Sequence, residues 1–251
     1  MSSKKVLIPL PGTDFDPTEA AVPWRILTKA GVQVVFATPD GRAASCDSRM
    51  ITGRGLGPLA FALVADKNGK AAYQCMMASA EFVNPISWAS IHSEDYDGIL
   101  LPGGHAPGMK EYLESKKLQS VVAEFFEAGK LVGAICHGVV LVSRSLSKEG
   151  KSVLWGRVTT SLLKSQELLA WGLTCLWLKD YYRTYPQTVE DEVRSNLKER
   201  RDFRQGPPAL FRDSAEDLDR GYVVEDRNYL SARWPGDAHL FATRYLQKIL
   251  T

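Results

Sequence analysis

The sequence predicts an α/β protein in which a parallel sheet carries helices on both faces. Short apolar segments typical of buried strands alternate with longer amphipathic segments typical of helices between Val6 and Leu146. The chain has 251 residues, of which 45% are hydrophobic and 24% charged. Such a composition excludes a disordered chain, collagen and a coiled coil, and the length allows one elaborated domain over residues 1–251.

The first strand and helix are marked by clear start and stop signals. Val6 to Leu10 is an apolar run that predicts a buried strand. Asp16 then has the position of a helix N-cap, with Pro17 at the first helical position and Glu19 three residues after the cap. An apolar stripe follows at helical spacing, and Gly31 ends the predicted helix.

The middle of the chain predicts two more strands. Val32 to Ala37 is a second apolar run, and the Gly-rich residues 41–60 predict a loop or a small hairpin. Gly98 to Pro102 is a buried strand that leads directly into the Gly103-Gly104-His105 loop.

A long helix and a further strand follow this loop. The helix is predicted from apolar residues at helical spacing between Leu113 and Phe126, and Gly129 closes it. Leu131 to Ile135 is the next strand, and a sharp turn at Cys136-His137-Gly138 opens a helix from Val139 to Leu146.

The pattern changes after Thr160. Residues 165–220 form an insertion with bunched aromatic residues and a charged helical stretch near Val189 to Arg204. A hairpin made of residues 222–224 and 229–233 and a last helix from Asp237 to Leu250 complete the chain.

Charge and cysteine usage exclude several functions. The formal net charge is only +2, so no large field favours nucleic acid or an acidic membrane. The cysteines and histidines show neither a CxxC pair nor zinc-type spacing, which argues against a metal site and a disulfide framework. The longest apolar run, Leu131 to Val142, is too short to span a bilayer, and Pro9 and Pro11 interrupt the N-terminal run. These features predict a cytoplasmic protein.

The strongest functional signal is the segment Val132 to Gly138. An apolar strand that ends in a turn of small residues before a helix presents one side chain at the carboxyl edge of the sheet. The helix dipole would favour the thiolate of Cys136 and lower its pKa, and His137 could act as its base. The alternative is that Cys136 is a small buried hydrophobic residue.

The Gly103-Gly104 pair is a second candidate element of the site. Glycines at a strand end let backbone N–H groups approach a bound oxygen, which could complete an oxyanion hole with the His137 amide. His105 could act in catalysis or could only stabilise the loop.

Two segments together resemble the ThiJ/PfpI superfamily, which has a flavodoxin-like, class I glutamine amidotransferase-like fold. They are Leu101 to His105 and Ala134 to Gly138, with supporting matches near both ends of the chain. The resemblance covers about residues 4–160 and 221–250. It is specific for fold and nucleophile but not for substrate, since the superfamily includes glyoxalase III and deglycase-like enzymes, hydratases, peptidases and chaperones.

The resemblance implies roles for four residues. Cys136 would be the nucleophile, Glu19 the carboxylate beside it, and His137 a triad member as in the glyoxalase III-like and PfpI-like branches. Glu167 lies where the glyoxalase III-like branch has its acid, although a solvated helix glutamate is an alternative. Glu19 could also serve a helix capping box.

The insertion and one arginine add candidate substrate contacts. Tyr182, Arg183 and Tyr185 could line a pocket under a lid, or the segment could be core or a dimer element. Arg233 follows a strand end and could hold a substrate carboxylate, or form a surface salt bridge.

These observations predict a cofactor-independent enzyme in which Cys136 attacks an electrophilic carbon of a small molecule. Hydrolysis, hydration or lyase chemistry would fit, and we expect a homodimer with no metal. The alternative is a redox sensor or holding chaperone that uses the same cysteine. A peptidase would need an open cleft, and an amidotransferase would need a synthetase domain.

Overall fold

The computed structural model describes residues 4–251 and contains a seven-stranded sheet with the order β5-β3-β1-β6-β7-β9-β8. Six strands are parallel, and β8 pairs antiparallel with β9 at one edge. Strands β2 and β4 form a separate small sheet. The strands are β1 Lys5–Pro9, β2 Thr13–Phe15, β3 Gln33–Thr38, β4 Ser45–Cys46, β5 Ile86–Ser87, β6 Gly98–Leu101, β7 Leu131–Ile135, β8 Val223–Asp226 and β9 Tyr229–Ala232.

Eleven α-helices surround the sheet in the described part of the chain. They are α1 Pro17–Lys29, α2 Ser48–Thr52, α3 Ala60–Leu63, α4 Lys67–Met77, α5 Ala80–Val83, α6 Met109–Glu114, α7 Lys116–Glu127, α8 Gly138–Arg144, α9 Lys164–Leu178, α10 Val189–Ser195 and α11 Ala238–Leu250. Helix α1 packs against α4 and α11, whereas α8 packs against α6, α7 and α10. The predicted doubly wound, flavodoxin-like fold is confirmed.

The centre of the sheet is fully buried. Leu7, Ile99, Val132 and Tyr229 form one row of paired residues across β1, β6, β7 and β9, and all four side chains have no solvent exposure. Strands buried on both faces need apolar side chains at consecutive positions, which explains their continuous apolar runs. Parallel pairing also brings the carboxyl ends of β1, β6 and β7 to one edge.

Helix α1 begins where its sequence signals predict. The Asp16 side chain accepts hydrogen bonds from the N–H groups of Thr18 and Glu19, at 2.8 and 3.0 Å. Pro17 occupies the first turn, where its missing N–H costs nothing. The Asp16 N–H donates to the Gly103 carbonyl, so Glu19 does not form the capping box, and its carboxyl is fully buried.

Residues 41–97 differ most from the sequence-based prediction. The segment predicted as a loop or small hairpin contains β4 and α2. Helix α4 was not predicted, although its buried residues Gly69, Ala72, Tyr73 and Met76 have helical spacing. Gly69 is needed for the contact between α4 and α1, because a β-carbon there would lie 2.5 Å from the Thr18 hydroxyl.

The insertion contains the two helices α9 and α10, joined by an irregular segment. The charged stretch predicted as helical over Val189 to Arg204 is α-helical only as far as Ser195, and a short 3-10 helix follows at Arg200–Asp202. No helix within residues 4–251 has the length and apolar character needed to cross a bilayer.

Candidate active site

Cys136 lies at the turn between β7 and α8 in a strained backbone conformation. Its φ angle is 57°, in the left-handed region that residues other than glycine rarely adopt. The turn is packed tightly against β6, since a β-carbon on Gly138 would lie 2.2 Å from the Leu101 carbonyl oxygen. Only glycine fits at this position. The strand, turn and helix therefore hold the Cys136 side chain at the carboxyl edge of the sheet.

The Glu19 carboxyl comes from α1 and meets Cys136 inside the protein. Its Oε2 accepts a hydrogen bond of 2.8 Å from the Gly103 N–H. Its Oε1 is buried without a well-aligned hydrogen bond, and a hydrogen bond with the Cys136 thiol contributes to the pKa of both groups. Since Oε2 accepts from an amide, a proton on this carboxyl belongs on Oε1.

Burial raises the pKa of Glu19 well above its ordinary value, and the nearby charge of Asp16 raises it further. Burial also raises the pKa of Asp16 to about 6. Glu19 therefore holds a proton more readily than an ordinary glutamate, and in its protonated form it can donate a hydrogen bond.

The expected low pKa of the Cys136 thiol is wrong. The side chain is 5% exposed, and burial raises its pKa well above the ordinary value. The charges of Glu19 and Asp16 raise it further, whereas the backbone N–H of His137 lowers it. Desolvation and two carboxyl groups outweigh the short helix α8 behind the turn. The resting residue is a thiol.

The His137 ring lies between the thiol and the insertion. Its Nδ1 is 3.4 Å from the Cys136 Sγ, and its Nε2 is 3.1 Å from the Thr184 hydroxyl oxygen. Burial lowers the pKa of His137 to about 3, and the charge of Arg144, with that of His105 whenever His105 is protonated, acts in the same direction. The imidazole is therefore neutral over the physiological range.

Glu167 does not complete a triad with His137. Its Oε2 accepts a 2.9 Å hydrogen bond from the Val189 N–H, and its Oε1 lies 3.3 Å from the Arg183 Nε. Thr184 instead faces the outer nitrogen of His137. Sequence reasoning missed Thr184, whose only signal was its place within the aromatic segment Tyr181 to Pro186.

The glycine loop supplies one free amide rather than two. The Gly103 N–H is bound to Glu19 and is not free for an oxyanion, contrary to expectation. Gly104 has a φ of 151°, and its N–H has no hydrogen-bond acceptor within residues 4–251. A β-carbon on Gly103 would lie 2.7 Å from the His137 backbone nitrogen, so this loop and the turn are in direct contact.

His105 belongs to an aromatic cluster beside the site. Its ring stacks on Tyr182 with centroids 4.3 Å apart and meets Tyr181 edge-on at 4.9 Å. Burial lowers the pKa of His105 to about 4, so it is neutral. The Tyr182 hydroxyl is buried without a hydrogen bond among the described residues, which makes it available to a ligand.

Arg183 and Tyr185 anchor the insertion rather than line a common pocket. Arg183 pairs with Glu167, as above, and donates to the Pro186 carbonyl. The Tyr185 hydroxyl donates to Glu114 at 2.8 Å and accepts from the guanidinium of Arg144 at 3.1 Å. Thr184 therefore lies against His137, while Arg183 and Tyr185 on either side of it hold the segment.

Arg233 is neither a substrate clamp nor a surface ion pair. It is 1% exposed, and its Nε and Nη2 each donate to Asp237 at 2.9 Å. Its Nη1 donates to the carbonyl of Pro207 at 2.5 Å. These protein partners occupy the guanidinium, which therefore ties β9 to the end of the insertion.

The buried thiol leads to a prediction about alkylation. Iodoacetamide at neutral pH is expected to modify Cys75, which is exposed, before Cys136, because Cys136 is both buried and held as a thiol. Peptide mass spectrometry over a time course measures the order, and labelling in denaturant gives the control. If Cys136 reacts before Cys75 in the folded protein, the conclusion that Cys136 is a buried, protonated thiol is wrong.

The environment of Glu167 leads to a second prediction. Burial raises its pKa from 4.5 to about 7, so the folded protein holds this proton more tightly than the unfolded chain. The free energy of unfolding is therefore expected to fall as pH rises between about 4.5 and 7. Glu167→Gln should flatten this dependence in urea titrations, while the exposed Glu149→Gln should not. Equal slopes of the free energy of unfolding against pH for wild type and Glu167→Gln would contradict this prediction.

No group of three or more histidine, cysteine, aspartate or glutamate side chains is arranged to hold a metal ion within residues 4–251. The chemistry that this site offers is that of a thiol, a carboxylic acid, a neutral imidazole and a free amide.

The chain is similar to several known proteins. It is 30% identical over 153 residues to a glutathione-independent glyoxalase, hsp3102, of Schizosaccharomyces pombe, with 60% of each chain covered. The chain thus matches about three fifths of that relative's length. Glyoxalase III of Candida albicans has the same fold, with a TM-score of 0.64, 18% identity and coverage of 97% of this chain and 96% of that one. The Rapid Encystment Protein of Francisella tularensis gives a TM-score of 0.70 at 18% identity, covering 99% and 100%.

A family model described as ThiJ/PfpI family-like matches residues 10–186, which include Glu19, the glycine loop, Cys136, His137 and Thr184. The match spans more than half of the chain, and the fold and turn geometry agree with it. The protein belongs to the ThiJ/PfpI-like family.

Proposed function

We propose that the protein is a cofactor-independent enzyme that converts small 2-oxoaldehydes into 2-hydroxy acids, with Cys136 as nucleophile. The observation that carries this proposal is the position of the thiol between the Glu19 carboxyl and the His137 ring nitrogen. The names of two similar proteins, a glutathione-independent glyoxalase and glyoxalase III, support the substrate class.

The first step is addition of the thiol to the aldehyde carbon. The S–H proton passes to Nδ1 of His137 while the sulfur electron pair forms the S–C bond. The carbonyl π electrons move to oxygen, where the free Gly104 amide stabilises the charge and the Glu19 acid delivers a proton. Each group starts in the protonation state that this step requires.

The later steps need only water. A proton moves from the aldehyde carbon to the neighbouring ketone carbon, and the hydroxyl proton passes from the first oxygen to the second, which turns the hemithioacetal into a thioester of the 2-hydroxy acid. The proton that His137 took up returns to Glu19, so both groups regain their starting states. Water then cleaves the thioester and restores the thiol. The aldehyde carbon is oxidised and the ketone carbon reduced within one molecule, so no external redox cofactor takes part.

The electrostatics of the site favour an uncharged, electrophilic substrate. The thiol, the neutral imidazole and the protonated Glu19 together offer no cation to bind an anionic substrate. The same features disfavour a redox sensor, because oxidation to sulfenic acid proceeds through an accessible thiolate. We propose further that the enzyme is a cytoplasmic homodimer.

The test is incubation of the purified protein with glyoxal or methylglyoxal, with the 2-hydroxy acid product measured by chromatography. Cys136→Ser, purified in parallel, controls for contaminating enzymes and for uncatalysed reaction. Formation of 2-hydroxy acid by the wild type alone would support the proposal. Absence of product from folded wild-type protein, or equal rates from Cys136→Ser, would overturn it.

A further inference from the structure

Thr184 makes two polar contacts through one hydroxyl group deep in the protein. The residue is 5% exposed. Its hydroxyl oxygen is 2.7 Å from the His105 carbonyl oxygen and 3.1 Å from the Nε2 of His137. A threonine hydroxyl has one proton to donate and two lone pairs that accept.

The two contacts determine where the protons lie. A carbonyl oxygen can only accept, so the single Thr184 proton must point to His105. The Thr184 oxygen must then accept from Nε2, which places the ring proton of His137 on that nitrogen. The opposite arrangement would place two oxygen lone pairs against each other at 2.7 Å.

We infer that Thr184 is a positioning residue that holds neutral His137 in the Nε2–H tautomer, leaving Nδ1 bare to take the Cys136 proton. Nδ1 lies 3.4 Å from Sγ, within reach of a thiol donor. The inference rests on the proposed function only where it gives this proton transfer a catalytic purpose. The tautomer itself follows from hydrogen-bond geometry.

The Thr184 hydroxyl is a neutral hydrogen-bond partner for Nε2 of His137. A carboxylate in the same place would change the charge of the ring. A carboxylate on Nε2 would stabilise the imidazolium and draw the thiol into an ion pair at rest. Within residues 4–251, the hydroxyl of Thr184 is the polar group on Nε2, while burial and the charge of Arg144 oppose a charged ring. His137 is thus oriented as an acceptor without being charged, and the thiol keeps its proton until a substrate arrives.

The segment around Thr184 is fixed on both sides. Arg183 is paired with Glu167, whose other oxygen accepts from Val189, and Tyr185 is bound to Glu114. These contacts explain how an irregular segment can hold one hydroxyl against a catalytic ring. In the transfer, the S–H bond breaks, its electron pair stays on sulfur, and the proton bonds to Nδ1. The Nε2–H bond to Thr184 remains intact.

Nitrogen NMR of the imidazole rings tests the tautomer without reference to activity. The pKa of His137, lowered to about 3, keeps its ring neutral between about pH 5 and 8, so two-bond N–H correlations identify the protonated nitrogen. The His137→Gln spectrum assigns the signals among the four histidines. Wild type should show protonated Nε2, and Thr184→Val should show a mixture of tautomers. A wild-type Nδ1–H ring, or an unchanged tautomer in Thr184→Val, would overturn the inference.

Kinetic measurements then separate positioning from folding. Thr184→Val should lower kcat for methylglyoxal about 5- to 50-fold with little change in KM, and Thr184→Ser should restore most of it. Thr174→Val is the matched control, since it removes another buried hydroxyl, which donates to Ala170, away from His137. Equal losses in both valine variants, or no rescue by serine, would contradict positioning. If no 2-oxoaldehyde is turned over, the proposed function fails, and the NMR result still decides the tautomer.

Discussion

Replacement of Glu19 by alanine is expected to lower turnover of a small 2-oxoaldehyde by about 10²- to 10⁴-fold, the usual contribution of a positioned acid or base. The variant loses the carboxyl group that shares a hydrogen bond with the Cys136 thiol. It also leaves the Gly103 N–H without its acceptor. Because these losses occur together, the alanine variant alone does not distinguish loss of the catalytic acid from displacement of the glycine loop.

Glu19→Gln separates the two effects. The amide carbonyl can still accept from the Gly103 N–H, so the loop should stay in place and the melting temperature should change little. The amide cannot release a proton to a developing alkoxide, so turnover should remain near the alanine level. Steady-state kinetics and thermal melts of both variants measure this. Glutamine activity close to wild type would show that Glu19 only supports the glycine loop.

Arg233→Ala is expected to destabilise the protein by about 3–5 kcal/mol, because breaking a buried ion pair leaves an unpaired charge. Asp237 is fully buried and accepts two hydrogen bonds from the guanidinium. The change also leaves the Pro207 carbonyl without its donor and loosens the end of the insertion from β9. Urea titration at neutral pH measures the loss.

A surface pair gives the matched control for Arg233. Arg227 pairs with Asp226 at 2.7 Å, but its side chain is 57% exposed, so Arg227→Ala should cost less than about 1 kcal/mol. Asp237→Asn combined with Arg233→Ala removes the stranded charge and should recover part of the stability. A loss below about 1 kcal/mol in Arg233→Ala would show that the buried pair contributes no more than an exposed one.

The sheet and the turn at Cys136 could be predicted because they depend on local sequence. Buried strands require consecutive apolar residues, and Gly138 is required by the close approach of β6, so both leave a readable pattern. Glu19 could also be placed, since Asp16 and Pro17 fix the start of α1 and thus the direction of its first turn.

The contacts across the insertion could not be predicted in the same way. Glu167 has a suitable chain position for an acid, but its distance to His137 depends on how α9 packs, and α10 and Arg183 occupy its oxygens. Thr184 carries no sequence signal because a threonine becomes informative only when its hydrogen-bond partners are known. The pKa of Cys136 depends on burial, which outweighs the helix position that the motif reveals.

The single irregular segment between α9 and α10 has a consequence for redesign of this scaffold. It carries both Tyr182, whose free hydroxyl is available to a ligand, and Thr184, which orients the catalytic ring. The packing around His105 and the orientation of His137 therefore depend on neighbouring positions of one segment. A change in the length or packing of this segment would therefore disturb both contacts together, whereas a substitution at Tyr182 alone removes the ring stacked on His105 and keeps the Thr184 hydroxyl.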